Sequence, residues 1–167
     1  PQPTGSVDAP TEYSPSTETN ISVSWSDPDG NMNTSSSQVF TNYTGTFSGY
    51  DGTYYSTVAP AGTHGYRFVG YDDVRLKTIS DTSTFSIAQA TPNLELDCTD
   101  TTYPNTDCVA SMLSGADSLG LYLDLNGTTR ATGTPINFTD DIAAGTWNAN
   151  YSTPGNRNWT NASVTDT

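Results

Sequence analysis

The chain of 167 residues sets 18 acidic side chains against five basic ones, for a net charge of −13, and only 33% of it is hydrophobic. Such a polyanion repels nucleic-acid phosphates and anionic lipid surfaces, which argues against either as a partner. No apolar run approaches the roughly 18 residues of a membrane span, while an aromatic share of 11% argues against disorder.

Charged residues make up 14% of the chain, against about 25% in an ordinary globular protein. Ser, Thr, Asn and Gly fill the difference, the profile of an extracellular β-protein covered in hydroxyls and amides. An opening of Pro1-Gln-Pro-Thr-Gly5 reads as processed, or as cut from something longer.

From Pro1 to Pro15 the chain is rich in Pro, Ser, Thr and Gly, and reads as an extended arm or an edge strand. Ile21-Ser-Val-Ser-Trp25 then alternates, placing Ile21, Val23 and Trp25 on one buried face. A turn at Asp27-Pro28-Asp29-Gly30 ends it. Oxygen side chains at Asp27, Asp29, Asn31 and Asn33, with a glycine between them, loosely match a calcium loop. The distal bidentate Glu of an EF-hand is absent, so a plain turn is the first expectation and calcium the only cofactor to weigh against it.

Strands are expected at Gln38 to Tyr43, Gly45 to Tyr50 and Thr53 to Val58. The last two are separated by Asp51-Gly52, a strong hairpin signal. Ala59 to Thr63 forms a corner, after which His64, Tyr66 and Phe68 share a face. Strands at Val74 to Ile79 and Thr84 to Ile87 close a first unit, and Ala88 to Pro92 reads as a short, semi-rigid joint. Beyond it, Leu94 to Cys98 and Val109 to Met112 flank a loop closed by Cys98 and Cys108. A local disulfide is the expected state of that pair, because metal ligation needs more Cys or His nearby. Leu119 to Leu125 sets four leucines on one face before an Asn126-Gly127 turn. Pro135 to Thr139 is a short strand, and Thr146 to Ser152 aims Trp147, Ala149 and Tyr151 inward. Trp159 is expected half exposed. No helical period appears, and short strands with regular turn signals mean sandwiches.

Asn-x-Ser/Thr sequons occur at Asn20, Asn33, Asn42, Asn126, Asn137, Asn150, Asn158 and Asn161. Composition alone predicts about four, so eight mark a secreted chain carrying covalent N-glycans. Catalytic signals are thin. His64 is the only imidazole and is expected to pack in the core. The adjacent pairs Asp72-Asp73 and Asp140-Asp141 point apart in extended chain, whereas glycosidase carboxylates face one another. The expectation is that the chain is not an enzyme.

Ala61-Gly62-Thr63 returns 83 residues later as Ala144-Gly145-Thr146, with Tyr55 on Phe138. The stretch Gly145-Thr-Trp-Asn-Ala-Asn-Tyr-Ser-Thr-Pro-Gly-Asn-Arg-Asn-Trp-Thr-Asn-Ala-Ser163 resembles the end of immunoglobulin-like modules in bacterial and archaeal surface proteins. There a strand of the form Gly-Thr-aromatic precedes a Gly-Asn turn and a final small-residue strand. Residues 18–88 are similar to the module that often precedes it in archaeal surface proteins. The resemblance implies an all-β chain of two tandem immunoglobulin-like sandwiches, residues 1–88 with an N-terminal arm and residues 93–167 with the disulfide. It also implies an archaeal cell-surface or filament protein with no catalytic residues to carry over. An adhesion or carbohydrate-binding module of a larger surface protein is the alternative.

Under the same offset Thr84 falls on Thr167, so the second unit is expected to lack a counterpart of Phe85-Ser-Ile87. Its last strand is then either short or supplied by a neighbour. An arm formed by Gln2, Pro3, Thr4, Gly5, Ser6 and Val7 fits the second reading, in head-to-tail self-association.

Overall fold

The computed structural model describes residues 1–99, 105–113, 119–141 and 143–167, and among these every regular element is a β-strand. The fold is two tandem immunoglobulin-like β-sandwiches. Contacts divide the chain into Pro1–Ala88 and Gln89–Thr167.

In the first unit, β1 (Gln2–Asp8), β2 (Thr19–Ser26) and β5 (Tyr54–Thr57) form one antiparallel sheet in the order β1-β2-β5. The other sheet runs β4 (Ser48–Asp51), β3 (Met32–Thr41), β6 (Gly62–Asp72), with β7 (Lys77–Ile79) and β8 (Ser83–Ile87) both pairing with β6. The second unit repeats this plan. Its first sheet is β13 (Ile136–Asp141), β10 (Asn105–Met112) and β9 (Leu94–Thr99). Its second is β12 (Thr128–Thr132), β11 (Tyr122–Leu125), β14 (Ala149–Thr153) and β15 (Ala162–Asp166).

Strand register shows how the repeat builds two equivalent cores. Ile21 pairs with Tyr55 as Cys108 pairs with Phe138, and Val39 pairs with Phe68 as Leu123 pairs with Tyr151. Ile21, Val39, Phe68, Cys108, Leu123 and Tyr151 are each no more than 3% exposed. Burying each of the large apolar ones stabilises by about 1.5–3 kcal/mol. In the second unit this core joins Cys108 and Ala110 of β10 to Leu123, Leu125, Ala149 and Tyr151 of the opposite sheet. In the first, the sheets approach closely at glycines. A Cβ on Gly70 of β6 would lie 2.6 Å from the Trp25 ring of β2.

The Asp51-Gly52 hairpin is corrected. β4 pairs with β3, and β5 pairs with β2, so the two strands lie in opposite sheets. Gly52 takes a left-handed φ of 106° and donates its N–H to the Ser37 carbonyl at 2.6 Å. That bond carries the chain out of one sheet, and Tyr50 and Tyr55 then stack across the core at 3.8 Å. By contrast, Asn126 (φ 47°) and Gly127 (φ 77°) do join β11 to β12 in a tight hairpin, the left-handed pair that a two-residue turn demands.

The closing strand of the second unit is β15. β15 pairs with β14 from Ala149↔Asp166 to Thr153↔Ala162. Shifted by 83, its last pair coincides with the first pair of β8, Tyr66↔Ser83. The second unit therefore has a short closing strand where the first has two successive segments. Nor is the arm free: Gln2 to Asp8 is β1, paired residue by residue with Ser26 to Asn20. Gly5 lies against the Phe68 ring, and Ser6 Oγ bonds Ser22 Oγ at 2.8 Å. Donating this strand to a neighbour would first strip it from its own sandwich.

Trp159, expected half exposed, is buried. The turn that carries it is built on Asn156, whose side-chain oxygen accepts the N–H groups of Asn158 (2.8 Å) and Trp159 (3.1 Å). Gly155 enters that turn at φ 76°, and a Cβ there would sit 2.6 Å from the Trp159 carbonyl oxygen. Backbone cannot yield as a flexible side chain can. Gly155→Ala is expected to lower stability by about 2 kcal/mol. Urea unfolding with an unchanged midpoint would show that the turn relaxes freely.

Candidate functional site

Cys98 and Cys108 are directly opposed on β9 and β10 and form a disulfide with a Cα separation of 4.1 Å. It occupies the register position of Val7 and Ile21 in the first unit, where no covalent bond adds to the ladder between the two strands. The Cys98 N–H donates to Asp166 Oδ2 at 2.9 Å, and the Thr167 N–H donates to Asp166 Oδ1 at 2.8 Å. These two bonds hold the Asp166 carboxyl below the usual carboxylate range. The bond from Cys98 also ties β9 to β15 of the other sheet. Beside them lies a depression of about 340 Å³ lined by Thr99, Thr106, Leu125, Thr146, Trp147 and Asp166. Hydroxyls and apolar surface dominate it, and its described lining residues include no nucleophile–base pair.

The eight sequons divide by exposure. Asn126, Asn137 and Asn161 are exposed, whereas Asn20, Asn33, Asn42, Asn150 and Asn158 are partly covered. Asn20 Oδ1 accepts from the Tyr54 hydroxyl at 2.6 Å and from Ser56 Oγ at 2.7 Å. Asn42 Oδ1 accepts the Gly65 N–H at 2.6 Å, and Asn126 Oδ1 accepts the Asn148 N–H at 2.8 Å. In each case the oxygen is engaged, and Nδ2 is the atom a sugar would take.

The oxygen-rich loop is a turn. Asp27 Oδ2 accepts the Asn31 N–H at 3.1 Å and the Asp27 carbonyl accepts the Gly30 N–H at 3.1 Å. Asp29 is exposed on that turn, while Asn33 lies within β3 opposite Tyr71. Among the described residues no three His, Cys, Asp or Glu side chains gather where they could hold a metal ion.

Other titratable groups are consumed by packing. His64 is buried, bonds the Pro60 carbonyl at 2.7 Å through Nε2, and meets the Tyr43 ring edge-on at 4.9 Å. Burial in that aromatic cluster, with Tyr55 and Tyr50 close by, pushes the Tyr43 hydroxyl pKa well above its ordinary value. Arg67 stacks its guanidinium over Phe47 at 4.7 Å and Phe40 at 5.4 Å. Asp72 is buried and accepts the Leu76 N–H at 2.6 Å, while Asp73 is exposed, so the pair points apart. The side chains of Asp140 and Asp141 lie outside the described residues.

Two features escaped the sequence reading. Tyr122, with Asp124, Thr129 and Ser152, lines a shallow depression of about 800 Å³. It is the outward alternation of Tyr122 and Asp124 along β11 that puts them there. The hairpin between β6 and β7 exposes Val74, Leu76 and Ile79. Its signal in the sequence is the run Val74-Arg-Leu-Lys77, which holds two of the five basic residues of the chain.

No protein-family model and no curated protein matches the chain. Among solved structures it is similar to the fibronectin(III)-like modules of Clostridium thermocellum CbhA, at 13% identity over 97% of this chain and 92% of that one, with a TM-score of 0.34. The description of the fold rests on the strand order and register given above.

Proposed function

We propose that the chain is a non-enzymatic extracellular structural glycoprotein, a repeating subunit or rod segment of a filament, pilus-like fibre or surface layer on a prokaryotic, archaeal cell. The observation that carries this reading is the disulfide between β9 and β10, with Cys108 inside the second core. A stabilising disulfide in so small a unit belongs to an oxidising compartment. Exposed sequons at Asn126 and Asn161 support the same location, with N-glycans there as covalent partners. Two sandwiches in tandem, with their buried polar groups committed to packing, suit a load-bearing or spacing role. The partner is then another copy of the chain, and the assembly needs no cofactor.

A second reading is an adhesion or carbohydrate-binding module, favoured by the exposed Tyr122 ring beside Asp124. Immuno-electron microscopy of native cell surfaces separates the two. Labelled fibres or a lattice are expected. Dispersed monomers that bind a glycan array, and lose binding in Tyr122→Ala, would sink the structural reading in favour of the second.

A further inference from the structure

The β6–β7 hairpin carries the two most exposed large apolar side chains of the described residues, Val74 at 78% and Leu76 at 64%, with Ile79 at 52% beside them. Arg75 and Lys77 are exposed between them, and neither side chain meets a carboxylate among the described residues. The loop is held firmly. Besides its bond to Leu76, Asp72 accepts the Arg75 N–H on its carbonyl at 2.9 Å, and Asp73 donates its N–H to Asn31 at 2.9 Å. Arg75 is fixed at a left-handed φ of 67°, a conformation an L side chain enters only at some cost in energy. A loop already held in one shape loses little entropy on binding. Exposed apolar surface combined with unpaired positive charge is what an acidic, partly apolar protein face would recognise.

The chain itself has such a face. On the outer side of β9 and β10, Val109 is 50% exposed and stands opposite Asp97, with Asp107 and Glu95 exposed on the same side. Strands β9, β10 and β13 contain no basic residue. We infer that the β6–β7 hairpin of one copy docks on the outer β9–β10 face of a second copy. Arg75 and Lys77 meet Asp97 and Asp107, and Val74 and Leu76 cover Val109. Charge complementarity selects this occupant, because a chain of net charge −13 approaches its own copies only where its few cations lead. First unit to second unit is a heterologous contact, which propagates from copy to copy. The inference rests on the assembly reading and names the interface for it.

The test is sedimentation velocity of the full chain, made in a host that adds no N-glycans, because Asn137 borders Val109 across β13. Self-association that weakens with added salt is expected. R75E/K77E and V74S/L76S should each weaken it by about tenfold or more without shifting thermal unfolding. Combining R75E/K77E with D97K/D107K should restore it. Association unchanged in both variants overturns this interface and leaves the filament reading standing. Monomers at every concentration also overturn it, and the filament reading is then decided by microscopy of native material alone. Binding of the unassociated chain to anionic phosphatidylserine vesicles, lost in R75E/K77E, would assign the hairpin to a lipid surface instead.

Discussion

Replacing Tyr151 with alanine is expected to destabilise the second sandwich by about 4 kcal/mol, while the first keeps its own unfolding transition. Tyr151 has no exposed surface and lies between the sheets, packed with Leu123, Leu125, Cys108 and Ala149. Its hydroxyl donates to the Gly133 carbonyl at 2.9 Å, across to the turn that follows β12. Truncation therefore empties an aromatic-sized volume in a core of only about ten side chains, and strands a carbonyl as well. Tyr151→Phe isolates the hydrogen bond and should lower stability by about 1 kcal/mol. Calorimetry of the full chain reads both variants. Alanine no worse than phenylalanine, or an equal shift of the first unit's transition, would show that Tyr151 does not anchor the second core.

Reducing the Cys98–Cys108 bond is expected to lower the stability of the same unit by about 2.5–3 kcal/mol, from the chain entropy restored to the unfolded state. The sequence separation of 10 residues makes a small loop, so the effect sits in the middle of the usual range. Freed of its cross-link, β9 is held in the folded state by its ladder to β10, by the packing of Leu94 and Leu96 on the core and by the bond from Cys98 to Asp166. Cys98→Ala/Cys108→Ala should match the reduced protein within about 1 kcal/mol, since alanine adds no polar atom beside Leu125. Urea midpoints with and without reductant provide the check. Identical midpoints would mean that the bond secures nothing the core does not already hold.

How much of this could be read from the sequence depends on which force set each element. Where burial on one face decided, alternation was sufficient: Ile21 and Val23 are buried in β2, and Leu121, Leu123 and Leu125 are buried around β11. Turn chemistry identified Asn126-Gly127 correctly but misled at Asp51-Gly52. A left-handed glycine states that the chain turns, not whether it returns along the same sheet or crosses to the other. Tertiary pairing decided that, through Ser37 and the stacked Tyr50 and Tyr55 rings. Trp159 was misjudged because flanking sequons signal exposure, whereas it is buried within the turn that Asn156 ties together. The cysteine pair was legible from spacing, but its role was not. Only the register shows that it replaces the Val7–Ile21 contact of the first unit. The strand expected at Val74 to Ile79 begins only at Lys77, since nothing local in that run announces that the buried Asp72 side chain will cap a turn there.

The exchange of a packed pair for a covalent one has a mechanical meaning. Under tension applied at its ends, the first unit can release β1 by parting its ladder with β2, and the freed chain then lengthens. In the second unit the load entering through β9 passes at Cys98 directly into β10. The residues between the two cysteines cannot extend, so about 30 Å of contour stays hidden however hard the chain is drawn. The two sandwiches share one architecture, yet only the second keeps a stretch of its first sheet out of reach of the pull.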